Sequence, residues 1–295
     1  MTRLTAKDFP QELLDCYDYY AHGKISKREF LNLAAKYAVG GVTALALFNM
    51  LKPNYALAEQ VKFTDPDIVP EYITYPSPEG HGEVRGYLVK PAKAVGKVPA
   101  VVVVHENRGL NPYIEDVARR VAKAGYIALA PDGLSSVGGY PGNDEEGKVL
   151  QQKVDPTKLM NDFFAAIAFM QQHPEATGKV GITGFCYGGG VSNAAAVAWP
   201  ELACAVPFYG RQPPAADAAK VKAPLLLHFA ELDKNINEGW PAWEAALKAN
   251  NKVYEAYIYP GVNHGFHNDS TPRYDEAAAE LAWKRTLGWF EKYLS

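Results

Sequence analysis

Cysteine is scarce in this sequence. Its 295 residues include three, Cys16, Cys186 and Cys204. That is too few for a disulfide framework, and no C-x-x-C pair or other metal-spaced cluster occurs, so no metal or organic cofactor is expected. Charge of one sign is lacking too. The net charge is −3 with 21% charged residues, which gives no electrostatic reason to expect nucleic acid or an anionic membrane as a partner. The most apolar stretch, residues 37–51, falls short of the roughly 20 residues a membrane helix needs. Internal repeats and low-complexity tracts are absent as well. What remains, at 48% hydrophobic, is a globular composition long enough for one large domain plus an extension.

Residues 1–58 differ in character from the rest and form the extension; residues 59–295 form the main domain. Residues 9–21, acidic and aromatic, read as a short helix. A basic region with Lys24, Lys27 and Arg28, the apolar stretch, and Ala56-Leu57-Ala58 together resemble a secretion signal. Ser26-Lys27-Arg28-Glu29-Phe30-Leu31 resembles a twin-arginine start, with Lys27 in place of the first arginine, which would imply periplasmic export. The other reading is a retained, cytoplasmic segment whose apolar helix docks on the main domain or on a second copy of the chain. An apolar helix needs a partner surface, so that reading favours a homo-oligomer.

From Glu59 onward the pattern is regular. Residues 71–75 and 82–89 alternate and read as an antiparallel pair joined by Pro76-Ser77-Pro78-Glu79-Gly80. Residues 98–105 are a continuous apolar run, as in a strand covered on both faces. A helix follows from Asn111-Pro112 to residue 124, then a strand over 126–130 and a Gly/Ser/Pro-rich loop over 134–146. Asp155-Pro156 starts a helix to residue 172, an N-cap followed by proline in the first turn. Further strands fall at 179–183, 203–209, 223–230 and 253–259, and further helices at 191–199, 238–249 and 274–293. This alternation predicts a mostly parallel sheet flanked by helices, with function at the carboxyl ends of its strands.

The chemistry-bearing residues stand at those ends. Gly184-Phe185-Cys186-Tyr187-Gly188 is the cysteine form of the nucleophile elbow, a sharp strand-to-helix turn that exposes one side chain. The helix N-terminus beneath the sulfur favours a thiolate; the alternative is a buried, inert cysteine in a glycine-rich turn. Asp233 follows the 223–230 strand and His264 the 253–259 strand, giving the order nucleophile, acid, histidine. Such a histidine takes or shares the thiol proton, and such an aspartate orients the ring. Glu231 and His267 are the rivals for those two roles. At the end of the valine-rich strand, His105-Glu106-Asn107-Arg108-Gly109 can supply the Asn107 amide to an oxyanion hole with the Tyr187 amide. A glutamate at this buried turn needs a partner; its plainer role is a latch that holds the loop.

Over residues 70–294 these features resemble the dienelactone hydrolase family, through His-Glu-Asn-Arg-Gly at 105–109, Gly-Phe-Cys-Tyr-Gly-Gly-Gly at 184–190, Asp233 and His264-Gly-Phe. The resemblance implies the α/β-hydrolase fold, with Cys186 as nucleophile, Asp233 and His264 as its partners, and Glu106 as a switchable proton acceptor. It also implies a thiol largely neutral at rest, activated when substrate displaces Glu106. Family members bind a substrate carboxylate with arginines, one shortly after the catalytic histidine. Here Asn268 stands at that place and Arg273 only further on, which leaves Arg108, Arg211 and His267 as candidate substrate contacts. The expected activity is hydrolysis of a small ester or lactone through an acyl-thioenzyme. The competing expectations are a non-catalytic protein that uses its extension for assembly, or thiol redox chemistry in which Cys204 approaches Cys186.

Overall fold

The computed structural model describes residues 3–295. Three short helices open the chain: α1 (Gln11–Ala21), α2 (Lys27–Ala34) and α3 (Ala44–Leu51). There follow β1 (Ile68–Ser77), β2 (Gly82–Pro91), β3 (Val98–Val104), α4 (Pro112–Lys123), β4 (Ile127–Pro131), α5 (Asp144–Gln151) and α6 (Pro156–Gln171). The second half carries β5 (Ala176–Phe185), α7 (Tyr187–Ala198), β6 (Cys204–Phe208), β7 (Leu225–Ala230), α8 (Lys234–Asn237), α9 (Trp240–Ala249), β8 (Tyr254–Tyr259) and α10 (Glu276–Leu294). The strands form one eight-stranded sheet in the order β1-β2-β4-β3-β5-β6-β7-β8. The pairings β1/β2 and β2/β4 are antiparallel and the rest are parallel.

The valine run of β3 lies between two apolar clusters. Val102 and Val104 face the side covered by Phe163 and Ile167 of α6, whereas Val101 and Val103 face Ile114 and Val117 of α4 and Phe290 of α10. A strand buried on both faces cannot alternate with polar residues, so the run is continuous. Local capping sets where the helices begin. The Asn111 side chain accepts from the Ile114 amide at 3.1 Å, and Asp155 accepts from the amides of Thr157 and Lys158, so the orphan donors of each first turn are satisfied.

Several boundaries differ from the sequence reading. Within the expected 134–146 loop, α5 begins at Asp144, because Asn143 caps it and Asp144, Glu145 and Glu146 fill the first turn, where the helix dipole favours acid. The expected helix over 238–249 begins at Trp240, as α9, and a separate short helix, α8, precedes it over Lys234–Asn237. The elbow helix α7 starts at Tyr187, directly after the cysteine, ahead of the expected residue 191.

The extension lies on the main domain. Its apolar stretch is interrupted by Gly40 and Gly41, both at positive φ, so only α3 is helical. Among the described residues no helix is long and apolar enough to cross a membrane. Ser26 and Glu29 form a reciprocal capping box that starts α2. Leu13, Leu14, Tyr17, Phe30, Phe48 and Leu51 pack into a small core of their own, so the apolar faces of α1, α2 and α3 cover one another within one chain. Polar contacts fasten this unit to the domain. The Asn54 amide donates to the Ser270 carbonyl at 2.6 Å, Tyr55 donates to Asp144 at 2.7 Å, and Arg273 donates to Asp18 at 2.9 Å.

Candidate active site

The elbow positions the sulfur. Cys186 has φ 58° and ψ −112°, a strained conformation for a residue with a side chain, and one that recurs at functional turns. Two glycines make it possible. A Cβ on Gly184 would strike the Gly188 backbone, and a Cβ on Gly188 would strike the carbonyls of Val104 and His105. The elbow therefore rests directly on the end of β3, which brings the 105–109 loop beside it. Neither the Asn107 amide nor the Tyr187 amide donates to another group among the described residues, so both are free to serve an oxyanion.

His264 and Asp233 meet as a pair, Nδ1 to Oδ2 at 2.5 Å. The other Asp233 oxygen accepts from the Ile236 amide at 3.2 Å, so the start of α8 fixes the carboxylate. A ring nitrogen of His264 lies within 4.8 Å of the Cys186 sulfur. With Nδ1 committed to Asp233, Nε2 is the one available; it is buried and has no hydrogen-bond partner among the described residues. Glu231, the rival acid, accepts from the Gly261 amide at 2.7 Å and is exposed.

The remaining candidates have other partners. Glu106, 4% exposed, accepts from Asn268 Nδ2 at 3.3 Å on each oxygen and lies 4.0 Å from Arg108 Nε. Arg108 also holds Asp144 at 3.0 Å, and it lines a cavity of about 490 Å³ with Tyr17, Tyr20, Tyr55 and Tyr140. His267 is buried. Its Nδ1 meets the Tyr113 hydroxyl at 2.7 Å, its ring stacks on Phe185, and burial holds it well below the usual histidine range. Arg211 is exposed, in the loop after β6. Cys204 pairs with Gly181 in the sheet register, five residues before Cys186, or about 16 Å along the strand at ~3.3 Å per residue.

One residue at the sulfur was not expected from the sequence. His22, at the end of α1, places Nε2 3.3 Å from Cys186 Sγ. Its Nδ1 faces the Asp18 carbonyl at 2.9 Å and the Asp18 carboxylate at 3.3 Å. The rings of His22 and His264 meet edge to face, with centroids 4.6 Å apart. Asp18 and His22 stand at i and i+4, a spacing that puts them on one helix face, but nothing local says that this face meets residue 186.

These groups shift one another. Burial opposes ionisation of Cys186, yet His22 first and His264 second outweigh it and bring the thiol down to about 6. Burial likewise opposes the charge on His22, but the Cys186 sulfur and Asp18 hold its imidazolium up to about 9. For His264, Asp233 and then Cys186 overcome burial and raise it well above the ordinary range. These shifts favour a thiolate between two imidazolium rings, each backed by a carboxylate. It can attack an electrophilic carbon and then return a proton to a leaving group.

Comparison with known proteins identifies the family. Residues 84–294 match the model of the dienelactone hydrolase family, and residues 1–36 match a second model described as YqhI-like. A hydrolase fragment of Escherichia coli (strain K12), YghX, is 86% identical over 116 residues, 39% of this chain and 99% of its own length. A Methylorubrum extorquens protein named as a carboxymethylenebutenolidase is 33% identical over 73% of this chain and 79% of its own length. The crystal structure of a dienelactone hydrolase from Klebsiella pneumoniae superposes with a TM-score of 0.69 at 29% identity, covering 77% of this chain and 99% of that one. The sheet order, the flanking helices and these matches together show that the chain is an α/β-hydrolase-fold ester or lactone hydrolase belonging to the dienelactone hydrolase family.

Proposed function

We propose that the protein hydrolyses a small ester or lactone through an acyl-thioenzyme, with Cys186 as nucleophile, His264 as proton carrier and Asp233 as its anchor. The Cys186 thiolate attacks the carbonyl carbon, and the amides of Asn107 and Tyr187 receive the charge that develops on oxygen. Collapse of the tetrahedral adduct breaks the C–O bond, and the His264 imidazolium protonates the departing alkoxide. Neutral His264 then takes a proton from water as the water attacks the thioester. The second collapse expels the thiolate, releases the acid and restores the starting charges.

The observation that carries this reading is the strained elbow cysteine beside a buried histidine whose other nitrogen holds Asp233 at 2.5 Å. A lactone is a natural member of the substrate class: a Bradyrhizobium relative, 34% identical over 72% of this chain, is named as a 2-oxo-3-(5-oxofuran-2-ylidene)propanoate lactonase. In this reading Glu106, tied by Asn268 and Arg108, keeps the Asn107 amide in place, and the thiol proton goes to an imidazole instead. The test is a panel of aryl esters and lactones on the wild type, Cys186→Ala and Cys186→Ser, with mass spectrometry of quenched reactions. Expected are an acyl adduct on Cys186 and loss of turnover in the alanine variant; full turnover by Cys186→Ala would refute the assignment.

A further inference from the structure

We infer that His22 is a further catalytic residue: an imidazole supplied by the N-terminal extension that bonds the Cys186 sulfur and holds it ionised between turnovers. The inference rests on Cys186 being the nucleophile, and its first support is geometric. His22 Nε2 is 3.3 Å from Sγ, and its Nδ1 is committed to Asp18, as His264 Nδ1 is committed to Asp233. Both rings therefore turn a single free nitrogen toward one sulfur.

The extension is built to keep that nitrogen in place. At the end of α1 the Tyr20 carbonyl accepts from Lys148 Nζ at 2.8 Å, and the Ala21 carbonyl accepts from Asn107 Nδ2 at 2.8 Å. Main-domain groups thus hold the helix terminus that carries His22, and Asn107 satisfies the Ala21 carbonyl that the helix end leaves orphaned. Arg273, 5% exposed, holds Asp18 at 2.9 Å, so the carboxylate behind His22 is itself oriented from the main domain.

Charge complementarity is the second support. The groups facing His22 are Cys186 on the elbow, Asp18 on its own helix and His264 from the segment after β8; Arg273 stands behind Asp18 and Asp233 behind His264. Ionised, Cys186, Asp18 and Asp233 balance His22, His264 and Arg273 one for one. Tyr209 packs beside His264, with ring centroids 4.8 Å apart, and Glu106 is held by Asn268; neither is hydrogen-bonded to the sulfur among the described residues. Asp18 is held below the usual carboxylate range, because His264, His22 and Arg273 together outweigh its burial.

A segment that merely blocked the pocket would need no oriented, carboxylate-backed imidazole, and it would gain from occupying the oxyanion donors. His22 leaves the amides of Asn107 and Tyr187 unpaired. The division of labour follows. His264 carries protons to the leaving group and from water, while His22 stays charged opposite the sulfur and makes the thiolate a stable leaving group in the second collapse.

The test compares full-length wild type, His22→Gln, His22→Ala and Asp18→Asn. Thiolate absorbance is titrated against Cys186→Ala, and ester hydrolysis is followed from pH 5 to 9.5. Expected for His22→Gln is a thiolate midpoint higher by about one unit or more, hence roughly tenfold less thiolate in the acid limb of the profile. Turnover at pH 6 should fall at least as much and recover toward pH 9. Asp18→Asn should move the same way by less, and added imidazole should restore turnover to His22→Ala. Unchanged midpoints and pH profiles in folded His22→Gln and Asp18→Asn would overturn the inference. So would faster turnover on removing the ring, which would make the segment a plug. Either result with an intact Cys186 acyl adduct leaves the acyl-thioenzyme reading standing, whereas absence of that adduct in the wild type sinks the acyl-thioenzyme reading itself.

Discussion

The resting state of Cys186 separates two chemistries, and a titration by alkylation distinguishes them. If the sulfur titrates at about 6, it is half ionised at pH 6 and fully ionised at pH 9, so its rate of reaction with iodoacetamide rises only about twofold across that interval. A thiol of ordinary pKa near 8.5 is about 0.3% ionised at pH 6 and about 76% at pH 9, a rise of some 200-fold. Burial slows the reagent and a low pKa weakens the nucleophile, but both factors scale the rate equally at every pH and cancel in the ratio. The assay is peptide-resolved mass spectrometry of alkylation at fixed times, which separates residue 186 from Cys16, a thiol that burial raises. A rise of twofold to tenfold supports the preformed ion pair. A rise of a hundredfold would refute it and restore the neutral resting thiol that the family resemblance implied, with Glu106 as the proton acceptor.

Two other predictions use the same structure. Gly188→Ala puts a methyl group against the Val104 and His105 carbonyls, which should cost about 1–3 kcal/mol and most of the turnover. Gly190→Ala meets its nearest atom at 3.7 Å and should leave both nearly unchanged; thermal melts and ester assays on the pair check this, and equal effects would discount the elbow packing. Acidification should destabilise the fold below pH 6.5. Burial, then Arg285, pushes His228 down to about 3, and burial also lowers His267, so both stay neutral in the fold while the unfolded chain takes up protons. His228 contributes a loss of about 1.4 kcal/mol per pH unit between the ordinary histidine value and its own, and His267 acts in the same direction. Urea midpoints from pH 7 to 4.5 measure the slope, and His228→Asn should flatten it.

Features set by a few neighbouring residues were legible in the sequence. The caps at Asn111 and Asp155 depend on bonds reaching two or three residues, and the elbow depends on glycines flanking one cysteine. The both-faces burial of β3 shows as an unbroken valine run, because no strand position there meets water. The order of Cys186, Asp233 and His264 followed from the strand rhythm, since each residue sits just past the carboxyl end of a parallel strand.

Tertiary structure decided what surrounds the sulfur. Whether Glu106 faces Cys186 or Asn268, and whether His267 meets a ligand or Tyr113, depends on side chains converging from segments 80 or more residues apart. No local pattern records such a meeting. His22 is the clearest case: residues 18 and 22 read as one face of a short acidic helix, while the ionisation of a cysteine 164 positions away depends on a separation of a few ångströms. Electrostatic interaction falls with distance in space and is indifferent to distance along the chain, so only the folded arrangement could fix it.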